Sequence, residues 1–167
     1  MKIIQISSTP EKHILKQIYS LNQDHAHYLT NLTEESELSK LIERSYTCMY
    51  VLRDDEVVGF MICFRERSKH QSVNYKFFND REDRFIYVDR IAINENYGRI
   101  GLGSDLYKEL YKVSSLKQLP ICCEVYTLPL NQVSLNFHYK NGFEAVGDYD
   151  FDTYSVKYLK RQVNNKV

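Results

Sequence analysis

Residues Tyr97-Gly98-Arg99-Ile100-Gly101-Leu102-Gly103-Ser104 stand between a strand-like apolar run at 85–93 and a helical pattern carried by Leu102, Leu106, Leu110 and Val113. A glycine-rich turn that opens a helix is a ready oxyanion site. Its backbone N–H groups converge, the helix dipole adds partial positive charge, and the missing side chains let a phosphate approach. A turn of this kind also serves as a plain connector, so its meaning depends on the rest of the chain. Two nucleotide readings fail on residue type. Gly98 and Gly103 have the spacing of a P-loop, but Ser104 occupies the lysine position. Gly101-Leu102-Gly103 begins like a dinucleotide fingerprint, yet Leu106 takes the place of the third glycine.

Working outward, the chain alternates strand and helix patterns. A strand near 2–7 leads to a helix whose Pro10 suits the first turn and whose Ile14, Leu15, Ile18 and Leu21 form one apolar face. Thr33 is the expected N-cap of a second helix. Residues 46–53 and 57–64 read as two strands joined by a tight turn at Asp54-Asp55-Glu56. Residues 65–83 read as a long polar connection bearing aromatics. After the glycine turn and its helix come a strand at 119–126, a short helix at 131–140 and a strand start at 143–147. A hairpin connection is expected at 148–152, and a closing strand at 154–159. No repeat, linker or low-complexity segment divides the chain, so one domain over 1–167 is expected.

The 167 residues are enough for a sizeable core. Lys+Arg and Asp+Glu both number 22, and this zero net charge gives no global basic face for nucleic acid. No apolar run approaches the ~20 residues that cross a bilayer, and residues 1–6 look like a short strand rather than a secretory signal. No membrane association is expected. Cys48, Cys63, Cys122 and Cys123 all fall in apolar strand-like segments, which favours reduced thiols and a cytoplasmic location. Adjacent Cys122 and Cys123 should point to opposite sheet faces. Without a C-x-x-C pair no metal site is expected, and His25 and His27 lack a partner pattern.

The glycine turn is followed by Asn131-Gln132-Val133-Ser134-Leu135-Asn136-Phe137-His138 and then Asn141-Gly142-Phe143. Together these resemble motifs A and B of the GNAT-type N-acetyltransferase superfamily, over roughly residues 45–147 by strand and helix order. Tyr87-Val88-Asp89-Arg90, Cys123-Glu124-Val125 and Ser134 to His138 are similar to a subgroup of predicted bacterial acetyltransferases. The resemblance implies an α/β (α+β) fold with a mixed central sheet flanked by helices. It also implies acetyl-CoA as cosubstrate, and a small-molecule amine or a peptide or protein amine as acceptor. Homodimerisation stays open.

Carried over residue by residue, the resemblance places the pyrophosphate on Gly98, Arg99, Ile100, Gly101, Leu102, Gly103 and Ser104, with Gly98 where Gln or Arg is usual. It gives the pantetheine arm unpaired backbone at Ile91, Ala92 and Ile93, on a strand that diverges from its neighbour. Asn131 orients the coenzyme, or else simply caps its helix, and Ser134 allows close packing. His138 stands where a tyrosine that protonates the departing thiolate is common, with Tyr139 as a substitute donor. Packing is the alternative for both.

Acetyl transfer requires a neutral amine. A lysine-type amine of pKa ~10.4 is neutral about once in 10³ molecules at pH 7, at a cost of roughly 4–5 kcal/mol, whereas an α-amine costs only about 1. Glu124, an acid within Ile121-Cys122-Cys123-Glu124-Val125-Tyr126, is the leading base because charged groups are rarely buried unpaired. The alternative pairs it with an arginine such as Arg90, and Asp89 is a weaker base candidate. Tyr75, Phe77, Phe78, Asp80, Glu82 and Asp83, with 148–152, form either an aromatic and acidic rim suited to a cationic amine or, as charged loops more often do, a simply solvated surface. A non-catalytic acyl-CoA-binding or regulatory module would keep both motifs and lack a competent base.

Overall fold

The computed structural model describes residues 1–163. Its elements are β1 (Lys2–Ile6), α1 (Lys12–Asp24), α2 (Glu35–Arg44), β2 (Thr47–Arg53), β3 (Glu56–Arg65), α3 (Val73–Asn79) and β4 (Ile86–Ile93). A short 3₁₀ turn (Glu95–Tyr97) precedes α4 (Leu102–Lys117), β5 (Ile121–Leu128), α5 (Gln132–Lys140), β6 (Glu144–Asp150) and β7 (Ser155–Arg161). The strands form one seven-stranded mixed sheet in the order β1-β2-β3-β4-β5-β7-β6. Among the described strands only the β4–β5 pair is parallel.

Strand alternation divides the apolar residues between two cores. Phe60, Ile62 and Phe64 of β3 pack on one face with Ile14, Ile18, Leu38 and Phe78 from α1, α2 and α3. Met61 and Cys63 face the other side with Leu102, Leu106 and Leu110 of α4 and Leu135 of α5. Cys122 and Cys123 fall on opposite faces as expected, and all four cysteines are buried free thiols. Asp54 and Asp55 both take positive φ (48° and 64°), the backbone of a two-residue hairpin turn.

Several local expectations need correction. Pro10 lies before the Glu11 N-cap, outside the first turn of α1. Glu34, not Thr33, holds the N-cap position of α2, while the Glu37 carboxylate reaches back to accept the Thr33 N–H at 2.8 Å. The 65–83 connection contains α3, capped by Ser72 Oγ accepting from the Tyr75 N–H. Two turns are too short for apolar periodicity to be read. That helix also removes the 75–83 part of the expected rim: Tyr75 and Phe78 are core residues, Phe77 stacks on Tyr158 at 3.9 Å, and Glu82 pairs with Lys160 at 2.6 Å, while Phe151 of 148–152 does line the cavity between β4 and β5. Finally, β6 continues to Asp150, so only 151–154 form the turn into β7.

One irregularity positions everything that follows. β4 meets β5 at only two register positions, Ile86↔Ile121 and Tyr87↔Cys122, yet stays paired with β3 through Ile93. On the β3 side the register jumps from Cys63↔Val88 to Ile62↔Arg90, so Asp89 is an extra, bulged residue. A bulge bends its strand. Here it bends β4 at the point where β4 and β5 part.

Candidate active site

The parting strands open a cavity of about 480 Å³, lined from β4 by Asp89, Arg90 and Ile91 and from β5 by Glu124 and Tyr126. Alternation along β5 puts Glu124 on the same face as Cys122 and Tyr126. Its carboxylate accepts from Tyr87 Oη at 2.6 Å and from Asn74 Nδ2 at 3.3 Å. Asn74 is oriented in turn by Tyr158, whose hydroxyl donates to Asn74 Oδ1 at 2.9 Å. No cation pairs with Glu124 among the described residues. Burial pushes its carboxyl up to about 8; the Tyr87 hydrogen bond opposes this and the negative Asp89 adds to it.

The ion pair considered between Glu124 and Arg90 does not form. Arg90 Nε instead binds Asp89 Oδ2 at 3.1 Å, and its Nη1 donates to Asn22 Oδ1 and to the Thr30 carbonyl at 2.8 and 2.7 Å. His70 Nε2 takes the other Asp89 oxygen at 2.7 Å while its ring stacks on Phe64. Burial works to raise Asp89, but His70 and Arg90 outweigh it and hold the carboxyl below its usual range. Asp89 is therefore a neutralised anchor rather than a free base.

On the α5 side, His138 is buried at 4 % exposure. Its Nδ1 lies 2.7 Å from the Ser134 carbonyl, an acceptor, so Nδ1 carries the proton and Nε2 accepts from Tyr107 Oη at 2.7 Å. Burial, against the Ser134 bond, pulls the imidazole below its ordinary range, leaving it neutral at pH 7. A depressed histidine adds stability above its unfolded value of 6.5 that is lost as pH falls, because the unfolded ring takes a proton the folded one resists. His138→Phe should flatten that acid limb in thermal melts. It should also cost about 1–3 kcal/mol at pH 7.5 by stranding the Tyr107 hydroxyl.

The coenzyme-side residues fall into two groups. Ile91, Asn131 and Ser134 line the cavity; Ala92, Ile93 and residues 98–104 lie outside its lining. Ala92 is packed into the α1-side core. Asn131 caps α5, its side chain accepting the Ser134 N–H at 3.2 Å. In the turn, Arg99 and Gly101 take left-handed φ of 69° and 89°. The first helical bond of α4 runs from the Asp105 N–H to the Gly101 carbonyl, so the N–H groups of Leu102, Gly103 and Ser104 sit at its open end. Leu102 anchors the turn in the core, whereas Ile100 is 53 % exposed.

Tyr139 is 44 % exposed and does not line the cavity. Tyr139→Phe should therefore turn over within about twofold of the parent, against the 10²–10⁴ expected for a catalytic acid; a steady-state comparison decides. Sequence reasoning passed over Tyr107 and His70. Tyr107 is hidden within the apolar pattern of α4, and His70 lies in a loop without periodicity. Among the described residues no group of three His, Cys, Asp or Glu is placed to hold a metal ion, and no helix is long and apolar enough to cross a membrane.

Comparison with known proteins adds a family and a set of folds. The acetyltransferase (GNAT) family matches residues 13–143. No curated protein matches the sequence. The solved structure of smu.2055 from Streptococcus mutans UA159 is similar at 14 % identity and TM-score 0.74, covering 98 % of this chain and all of that one. The ribosomal-protein-S18-alanine N-acetyltransferase from Escherichia coli gives 14 % identity and TM-score 0.67 over 99 % of both chains. Arabidopsis thaliana NAA60, solved with a bisubstrate analogue, gives 16 % and 0.71 over 99 % of this chain and 100 % of its own. At such identities the likeness is one of fold.

Proposed function

The chain belongs to the acetyltransferase (GNAT) family, and from that premise we propose that it transfers an acetyl group from acetyl-CoA to a primary amine held at the β4–β5 fork. The observation that carries this reading is Glu124: an acid with no cationic partner among the described residues, at the mouth of a fork whose backbone is left unpaired.

The residues fit the coenzyme. Gly103 has helical backbone, and a Cβ built there would meet nothing closer than Ile93 Cγ1 at 4.0 Å. Neither conformation nor internal packing asks for glycine, whereas a phosphate seated at the helix mouth does. The N–H groups of residues 99–104 would hold the pyrophosphate, the free edge of β4 at Ile91, Ala92 and Ile93 the pantetheine arm, and Asn131 and Ser134 the coenzyme's flank. When bound, acetyl-CoA supplies the acyl group in activated thioester form.

Glu124 takes the proton from the acceptor ammonium. A carboxyl near 8 is closer in basicity to an amine than an ordinary glutamate, so the transfer is less uphill. An ammonium alongside also favours the ionised carboxylate. A β4 backbone N–H facing the fork polarises the thioester carbonyl. On the thiol side we assign His138 a modified part. Neutral and tied to Ser134, it is a poor standing acid, so it orients Tyr107. Burial raises Tyr107 well above its ordinary value, so the phenol stays protonated, with its one O–H proton given to His138 Nε2. A coenzyme thiol of pKa ~8.5 departs as its thiolate near neutral pH without a dedicated acid.

The likeness to a ribosomal-protein alanine acetyltransferase supports peptide amines beside small ones as acceptors. One catalytic domain spanning the chain, in a reducing cytoplasm that suits four buried thiols, completes the proposal. Thiol release from acetyl-CoA across a panel of amines tests it. Turnover with any amine supports transfer; tight coenzyme binding without turnover points to the acyl-CoA-binding module instead.

A further inference from the structure

Four aromatic rings from three separate elements meet beside Glu124. Tyr126 lies two residues along β5, on the same sheet face. Tyr154, in the β6–β7 turn, stacks on Tyr126 with centroids 4.9 Å apart and planes 11° apart, and Phe151 stacks on Tyr154 at 4.3 Å and 16°. Tyr28, from the α1–α2 connection, meets Tyr126 edge-on at 5.9 Å and 84°. All four are part-buried and line the cavity. The wall is fastened: Arg90 Nη1 holds the Thr30 carbonyl at 2.7 Å, and Tyr28 Oη donates to the Leu130 carbonyl at 3.3 Å.

Charge narrows the occupant further. The acids lining the cavity are Asp89 and Glu124, and the arginines are Arg44 and Arg90. Asp89 is spent on His70 and Arg90, so Glu124 alone can meet an ammonium. Within the cavity lining, a second cationic group on the acceptor would meet arginines and no further acid. The face-to-face step from Glu124 to Tyr126 spans about 6.8 Å along the strand, matching an amine set about two or three carbons from a ring.

Resting on the transfer reading above, we propose that the acceptor is a small primary monoamine borne on an uncharged aromatic body, its ring against the Tyr28–Tyr126–Tyr154–Phe151 wall and its nitrogen at Glu124. A polyamine would find no second acid in the cavity lining, and of the peptide and small amines left as acceptors above, the wall favours the small aromatic one.

Thiol release with 2-phenylethylamine, propylamine, spermidine and a neutral tripeptide tests this. The value of kcat/KM for 2-phenylethylamine should exceed that for propylamine by roughly 10–100-fold, the worth of burying a ring, with spermidine and the tripeptide below 2-phenylethylamine. Tyr154→Leu keeps apolar bulk but removes the ring, so the 2-phenylethylamine to propylamine ratio should fall by roughly 10-fold. Calorimetric acetyl-CoA affinity should be unchanged. A flat ring dependence, or preference for spermidine or the tripeptide, overturns the aromatic acceptor while leaving acetyl transfer standing. If no amine turns over, the transfer reading falls, and direct titration of 2-phenylethylamine decides the wall. Binding that Tyr154→Leu weakens supports it, and no binding overturns it.

Discussion

Glu124→Gln is expected to leave acetyl-CoA affinity unchanged while lowering kcat by around 10²–10⁴, the range for a lost general base. The amide fits the existing network, accepting from Asn74 and donating to the Tyr87 oxygen, so the loss is chemical rather than structural. In the parent, kcat/KM should rise with pH until the carboxyl ionises near 8. In the variant that limb should vanish, and the defect should shrink as the amine deprotonates unaided. The same substitution has a second readout. A carboxyl raised on folding from 4.5 to about 8 contributes stability that is full below 4.5 and lost as pH rises to 8, because the unfolded chain ionises more readily. Glu124→Gln should therefore melt above the parent at pH 8 and lose that advantage near pH 4. Unaltered turnover with a working acceptor would make Glu124 a structural residue.

Gly103→Glu is expected to abolish acetyl-CoA binding, a loss of more than ~10³-fold, by placing bulk and negative charge at the helix mouth where the pyrophosphate sits. Gly103 is the sharper site for this test than Gly101. Gly101 holds φ of +89°, so any side chain there strains the turn, whereas Gly103 is helical with open space around its missing Cβ. The folded variant can then be compared directly by calorimetry. Unchanged affinity would remove the turn from the coenzyme site and reduce it to a connector between β4 and α4.

The sequence determined what depends on near neighbours. Glycines at 98, 101 and 103 before an apolar helical pattern mark a turn that opens a helix, because the left-handed φ at Gly101 and the free N–H groups of a helix start are set within a few residues. Apolar alternation likewise specified the strands and sent Cys122 and Cys123 to opposite faces. Short elements escaped this logic: α3 has only two turns, and its Tyr75 and Phe78 read as rim aromatics until the sheet covered them.

What tertiary structure decided is which side chains meet. Arg90 and Glu124 looked equally available to each other in the sequence. A single bulged residue, Asp89, claims Arg90 and His70 and bends β4 away from β5. That leaves Glu124 with Tyr87, 37 residues distant, and Asn74, 50 distant, neither able to neutralise it. Its raised carboxyl is thus a product of burial and partner choice, both fixed by sheet register. Register arises from the packing of two whole faces at once, so no local pattern in the chain encodes it.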